Sequence, residues 1–392
     1  MSFKKKVKNL VMAGAAATLL SSPLAMAATI KIGYTGPLSG GAALYGQDAL
    51  GGLQMAADEI NANGGVNVDG ENYDIKIISL DDKYAPSQAA VNAKRLVQRD
   101  KVKVIYTSHS GGVFALQAFN EKSDFLLMAF SSVPGITEKG NKLTVRIPPT
   151  YEAFVGPYVE LGMQEHGKKL AVGSGTHEYA KMWANAFVPE WEAAGGEVVA
   201  NNPMDYNKSA DFYTGVSRSL SAKPDVMFIG GASEPTGLVV KQARELGFKG
   251  GFIFTGQSQL MEVAPVAGGL EAIEGSIGIP PITMHDDVGA KSFVEKRNKI
   301  KENSLAWEVA MNYSSVHMVV EAMKIAGSVD DTEKIRAAFP QALESLDEEY
   351  NTFVVKEMTE GGGLEYDPYI AIVRDGELDV RTISEYSKQL DK

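Results

Sequence analysis

Ile30-Lys-Ile-Gly-Tyr-Thr-Gly-Pro-Leu-Ser-Gly-Gly41, with the stretch from Gln47 to Asn61 behind it, carries the reading that decides the fold. Ile30, Ile32 and Tyr34 alternate with Lys31 and Gly33, the two-residue period of a half-buried strand. Leu53, Ala56 and Ile60 then recur at helical spacing, which predicts a helix over 47–61. A glycine-rich loop joins the two. The same unit recurs downstream. Strands are predicted over 73–80, 102–107, 124–130, 169–173, 196–200, 225–229, 252–255 and 276–279. Helices are predicted over 87–99, 152–166, 178–194, 209–221 and 235–246. This alternation specifies an α/β chain with parallel sheets covered by helices on both faces.

The rhythm changes after Ile279. Three helices follow, the clearest with Val309, Tyr313, Val316, Val320 and Met323 as an apolar stripe, and strands return over 352–356 and 368–373. Ile147-Pro148-Pro149-Thr150 and Ile279-Pro280-Pro281-Ile282 each place two prolines directly after a β run, where proline cannot continue a ladder. They mark candidate boundaries between lobes that the chain crosses more than once.

The N-terminus reads as an export signal over residues 1–27. Lys4, Lys5, Lys6 and Lys8 precede an apolar run from Leu10 to Leu20, and Ala25-Met26-Ala27 is the cleavage site. The apolar run is too short to span a bilayer, which takes about 20 residues. The chain has 392 residues, no cysteine, 49 acidic and 38 basic side chains, and a net charge of −11. Without the four signal lysines the balance is −15 over 28–392. Such an acidic chain is unsuited to nucleic acid or an anionic membrane. Absence of cysteine excludes disulfides, thiolate metal sites, a Cys nucleophile and a lipid anchor on cysteine. A soluble exported chain without an anchor is expected in the periplasm, as a monomer.

Ligands of open parallel sheets bind beyond the C-terminal strand ends. There the sequence places Gly36 to Gly46, Ser108-His-Ser-Gly-Gly112, Ser131-Ser-Val-Pro134, Ser174 to Tyr179, Gly230 to Glu234 and Gly256-Gln-Ser-Gln259. Small hydroxyls and free N–H groups at a helix start suit a small anion such as a carboxylate, and Ser108–Gly112 is the strongest example. Ser110 is equally readable as an N-cap, and Tyr45, Tyr151 and Tyr179 as partly buried core. Enzyme templates fail. There is no P-loop or nucleophile elbow, and His177-Glu178 lacks the second histidine of a zinc protease. His109, His166, His177, His285 and His317 show no metal-ligand spacing, and Asp81-Asp82 reads as a solvated or hinge-facing pair. No cofactor and no metal are expected, and binding without chemistry is the reading. A secreted hydrolase using Ser110 is the rival from another class.

These stretches resemble, over essentially the whole of 28–392, the periplasmic branched-chain amino-acid-binding proteins, the type I solute-binding proteins of ABC importers. The resemblance rests on Ile32-Gly-Tyr-Thr-Gly-Pro-Leu-Ser-Gly40 with Tyr45-Gly46, Ala57-Asp-Glu-Ile-Asn-Ala-Asn-Gly-Gly65 and Asp81-Asp82 with Pro86 and Ala89. Ser110, Tyr179 and Lys241-Gln-Ala-Arg-Glu-Leu-Gly247 complete it. It implies two Rossmann-like lobes joined by three crossovers, 28–148 with 280–361 and 149–279 with 362–392. It also implies a membrane permease as partner, or a receptor if the module is a sensor. Carried over, Ser110 with Gly111 and the backbone of Ser131 and Ser132 hold a ligand carboxylate, Tyr45 and Tyr179 cover it, and Ser233 lies at the rim. Two departures matter. Val133 stands where the family has a threonine, and Gln257 where it has the acid that pairs with a ligand ammonium. The expected ligand is therefore an amino acid only if Glu152, Glu234 or Asp205 supplies the charge. Otherwise an amide or an aromatic or aliphatic carboxylate is expected, with Phe114, Phe130 and the tyrosines as aromatic surface.

Overall fold

The computed structural model describes residues 27–300 and 304–390, so the export-signal reading lies outside the described residues but for Ala27. The chain opens with β1 (Ala28–Gly36), α1 (Ala43–Ala62), β2 (Val66–Val68), β3 (Glu71–Asp81), α2 (Pro86–Gln98), β4 (Val104–Thr107), α3 (Ser110–Gln117), β5 (Leu126–Ala129), α4 (Gly135–Glu138) and β6 (Thr144–Arg146). It continues with α5 (Glu152–His166), β7 (Lys169–Ser174), α6 (Glu178–Ala193), β8 (Glu197–Asn201), α7 (Tyr213–Leu220), β9 (Val226–Gly230), α8 (Ser233–Glu245), β10 (Gly251–Phe254), α9 (Leu260–Ala267) and β11 (Ile277–Gly278). Then come α10 (Val288–Asn298), α11 (Trp307–Ala326), α12 (Thr332–Ser345), β12 (Glu357–Met358), β13 (Leu364–Glu365), β14 (Tyr369–Arg374), β15 (Glu377–Thr382) and α13 (Ile383–Leu390).

The strands form two large sheets. The first has the order β2-β3-β1-β4-β5-β6, the second β15-β14-β11-β10-β9-β7-β8. Pairing is parallel except at one edge of each sheet, where β2 and then β14 and β15 run antiparallel. Central strands such as β4, β5, β9 and β10 are buried along their whole length, as helices on both faces require of continuous apolar runs. Each sheet reverses its strand order beside its first strand, β1 between β3 and β4, and β7 between β8 and β9. That reversal opens a crevice at the C-terminal strand ends.

The stripe expected on α11 is buried, and so is nearly every other side chain from Trp307 to Met323. The helix lies between α1 and α12, and so has no solvent face along most of its length. Its approach to α1 needs Gly52, where a Cβ would stand 2.2 Å from the Val309 carbonyl oxygen.

Two expected elements differ. Residues 352–356 are not a strand but a turn with Val354 at φ 48°. The Thr352 N–H donates to Ser314 Oγ at 3.4 Å, and Asn351 Oδ1 accepts the Val355 N–H at 2.9 Å, so side chains take bonds a ladder would use. The helix expected from residue 209 begins only at Tyr213, because Ser209 and Asp211 cap the turn before it. Sequence reading also passed over the short strands β2 and β6 and the edge strand β15.

Candidate functional site

The crevices of the two sheets face each other, and their loops line a cleft with about 290 Å³ of atom-free space, part of it open to solvent. Its walls assemble from four loops of the first sheet. After β1, Tyr34 fixes the geometry: its hydroxyl donates to the Gly46 carbonyl at 2.8 Å and shares a 2.8 Å hydrogen bond with Ser108 Oγ. This ties the first turn of α1, and with it Tyr45, to the loop after β4.

The β4 loop delivers Ser108, His109 and Ser110 at the start of α3. His109 Nδ1 accepts the Gly112 N–H at 3.0 Å, so the ring proton sits on Nε2, 3.1 Å from Asp82 Oδ2. Asp82 is fully buried and also accepts from Thr35 Oγ1 at 3.1 Å and the Tyr84 N–H at 2.9 Å. Of the solvated or hinge-facing pair expected at 81–82, Asp82 is thus not solvated, and the two carboxylates brace a loop. Asp81 holds the Leu38 and Lys83 N–H groups and the Ser39 hydroxyl, and the two carboxylates keep Lys83 and Tyr84 at φ 54° and 61°. Left-handed backbone in two successive non-glycine residues is strained, and here it turns the Tyr84 ring onto His109 at 4.7 Å.

Beyond β5, Phe130, Ser131 and Ser132 line the cavity. Ser110 Oγ and Ser131 Oγ share a 2.7 Å hydrogen bond. Ser110 therefore bonds another serine, and both nitrogens of its neighbour His109 are occupied elsewhere. No histidine stands as a base for Ser110 among the described hydrogen bonds, which removes the geometry that the hydrolase reading requires. The first crossover adds Pro148, and α11 contributes Trp307, whose ring meets Phe130 edge-on at 6.1 Å.

The second sheet supplies Tyr179, Gly256 and Gln257. The Tyr179 hydroxyl accepts the Trp183 indole N–H at 2.9 Å and shares a 2.9 Å bond with Ser132 across the cleft. Gln257 Oε1 accepts from His177 Nε2 at 3.2 Å, and its Nε2 donates to the Tyr84 hydroxyl at 3.3 Å. Burial pushes the tyrosine hydroxyls at 45, 84 and 179 up and His177 down to about 4, so these groups are uncharged at neutral pH.

Of the nine residues expected at the site, Tyr45, Ser110, Ser131, Ser132, Tyr179 and Gln257 line the cavity. Gly111 does not; it faces the outer groove between the lobes. Val133 is buried and lines neither space. Ser233 accepts the Gln259 N–H at 3.1 Å instead of meeting the cavity. Tyr84, Trp307 and Pro148 were missed as site residues, while Gly256 belongs to a strand-end loop already read as a candidate. Tyr84 was signalled by Asp81-Asp82, since paired carboxylates before a Pro mark a braced turn. Trp307 had no local signal. Glu152, Glu234 and Asp205 are absent from the cavity wall, and Asp205 lines the outer groove. No Asp, Glu, Lys or Arg among the described residues lines the cavity. Among the described residues no cluster of His, Asp or Glu could hold a metal ion, and no helix is long and apolar enough to cross a membrane.

Comparison with known proteins agrees with this architecture. The periplasmic binding protein family model matches residues 29–376. The chain is 26% identical over 335 residues to an amino acid binding protein of Pseudomonas aeruginosa, covering 83% of this chain and 87% of that one. It is 25% identical over 315 residues to the leucine-, isoleucine-, valine-, threonine- and alanine-binding protein of the same organism, covering 79% and 82%. A solute-binding protein of an ABC transporter from R. palustris, solved with benzoate, shares the fold with a TM-score of 0.75 at 16% identity, over 90% of this chain and 96% of that one. With two crevice-bearing sheets, facing strand-end loops and a family match over nearly all its described length, the chain belongs to the periplasmic binding protein family and has its two-lobed type I fold.

Proposed function

We propose that this chain is the solute-capturing component of an ABC importer that takes a small carboxylate lacking an ammonium group, with a planar aromatic body as the best fit. The observation that carries the ligand class is that, among the described residues, no acidic side chain lines the cavity, while the Gln257 amide does. A desolvated ammonium needs a carboxylate opposite it, and an amide already bonded to His177 and Tyr84 is a poor substitute. A carboxylate is better served. Ser110, Ser131 and Ser132 present hydroxyls at the start of α3 and beyond β5, where the helix N-terminus favours negative charge. Phe130, Trp307 and Tyr45 supply flat apolar surface for a ring.

Binding would close the lobes over the ligand, with 28–148 plus 280–361 moving against 149–279 plus 362–392 about the crossovers. Location in the periplasm and delivery to a membrane permease fit the family and the charged, then apolar, N-terminal sequence. No bond need be made or broken. The test is thermal-shift and calorimetric titration of purified protein with benzoate, 4-hydroxybenzoate, benzamide, acetate, leucine and valine. Benzoate-type acids should raise the melting temperature by mass action. A larger rise with leucine or valine would overturn the ligand class while leaving the transport role standing.

A further inference from the structure

Gln259 belongs to the second sheet: it follows β10 and bridges to Ile279 at the end of β11. Trp307 and Glu308 begin α11, which packs with α1 and α12 on the first lobe. The Gln259 side chain spans the two. Its Oε1 accepts the main-chain N–H of Trp307 at 2.9 Å, and its Nε2 donates to the Glu308 carboxyl. The other Glu308 oxygen accepts the Trp307 indole N–H at 2.8 Å, while Ser233 Oγ holds the Gln259 backbone. Gln259 and Glu308 are 2% and 1% exposed, and neither lines the ligand cavity. Trp307 belongs to both the cavity wall and this network.

We propose that Gln259 is a positioning residue for ligand capture: its bonds to Trp307 and Glu308 latch the lobes together independently of ligand, so that the empty protein already populates the closed state. Ligand affinity then includes the free energy of that latch, since a receptor partly closed beforehand loses less on closing. Two further cross-cleft bonds, Ser132 to Tyr179 and Tyr84 to Gln257, lie in the cavity wall where a ligand competes for them. The Gln259 latch is outside that competition.

The acids around the latch fit this role. Glu308 faces Glu262 from α9 and Asp48 from α1, its charge reaches the Tyr45 and Tyr179 hydroxyls, and the Arg297 guanidinium acts on Asp48. Burial and these like charges push the Glu308 carboxyl well above the usual range.

The absence of cysteine allows spin labels to be placed at Lys122→Cys and Lys249→Cys, exposed positions beside the first and second sheets. Interlobe distances are then measured in ligand-free protein at pH 8 and pH 5. Wild type should show a closed population at both. Gln259→Leu should lower the closed-to-open ratio about tenfold at both, as loss of two hydrogen bonds at roughly three- to fivefold each implies. Gln259→Glu should open the protein at pH 8, where the added carboxylate joins the buried acidic pair Glu308 and Glu262, and close it at pH 5, where its protonated form donates again. Three results would overturn the latch: no closed population in empty wild type, distance distributions unchanged in both variants, or Gln259→Glu open at pH 5. No ligand enters the measurement, so its outcome is separable from the ligand class proposed above.

Discussion

Gln257 Oε1 lies 3.2 Å from His177 Nε2, and since an amide oxygen only accepts, the histidine proton sits on Nε2 and points at the cleft rim. This bond makes a neutral pair at Gln257, the position at which the resemblance implies an acid in amino-acid receptors. Gln257→Glu should therefore invert preference. Leucine binding should become measurable by calorimetry, and affinity for benzoate should fall by about tenfold or more as the new carboxylate repels it. The same variant should raise the His177 pKa from its burial-lowered value of about 4, read from ring-proton NMR shifts.

The 2.7 Å bond between Ser110 and Ser131 makes their contributions to anion binding interdependent. Ser110→Ala and Ser131→Ala should each weaken carboxylate binding by about 2 kcal/mol, the ordinary value for a hydrogen bond to a charged group. The double variant should lose less than the sum, because each single change also frees the partner hydroxyl. Titration calorimetry of the four proteins checks this.

Tyr179→Phe removes an oxygen shared by Ser132 and Trp183. The buried Trp183 indole N–H then has no acceptor, at a cost of about 1–3 kcal/mol. Urea denaturation of the empty protein should show that loss, and stopped-flow tryptophan fluorescence should show faster ligand release.

His285 is 4% exposed and stacks on Tyr369 with ring centroids 4.0 Å apart. Burial lowers its pKa from 6.5 to about 4. Between those values the unfolded chain binds the proton that the folded protein excludes, so stability due to His285 is present above pH 6.5 and lost as pH falls towards 4. His285→Phe removes the titration. Relative to that variant, wild type should lose on the order of 2 kcal/mol between pH 7 and pH 4.5 in urea midpoints. The buried acids Asp48 and Glu308 act in the opposite sense over this range and cancel in the comparison, because both proteins retain them.

The fold was legible because its signals are local. Ile30, Ile32 and Tyr34 alternate whatever lies beyond them, and Leu53, Ala56 and Ile60 repeat every turn of α1, so each element announces itself within a few residues. Half of the site was legible for a related reason. Ser110, Ser131, Ser132 and Gln257 follow predicted strands, and strand ends of parallel sheets converge on one crevice. Thr352 to Lys356 misled because its β-branched and aromatic residues read as a strand, whereas Asn351 and Ser314 take its backbone bonds from outside the segment.

Local pattern determined the βα units, their order along the chain and the hydroxyl-rich character of the strand-end loops. Only tertiary structure decided which side chains share the cavity. Val133 turns into the core, Ser233 serves the Gln259 backbone, and Trp307 arrives from a helix whose stripe read only as packing. It also decided that Glu308, in the sequence an ordinary acid at a helix start, is buried between the lobes against Gln259. A residue's period reports its own element. Its partners across the cleft depend on how two separately folded sheets meet, and no spacing along the chain encodes that distance.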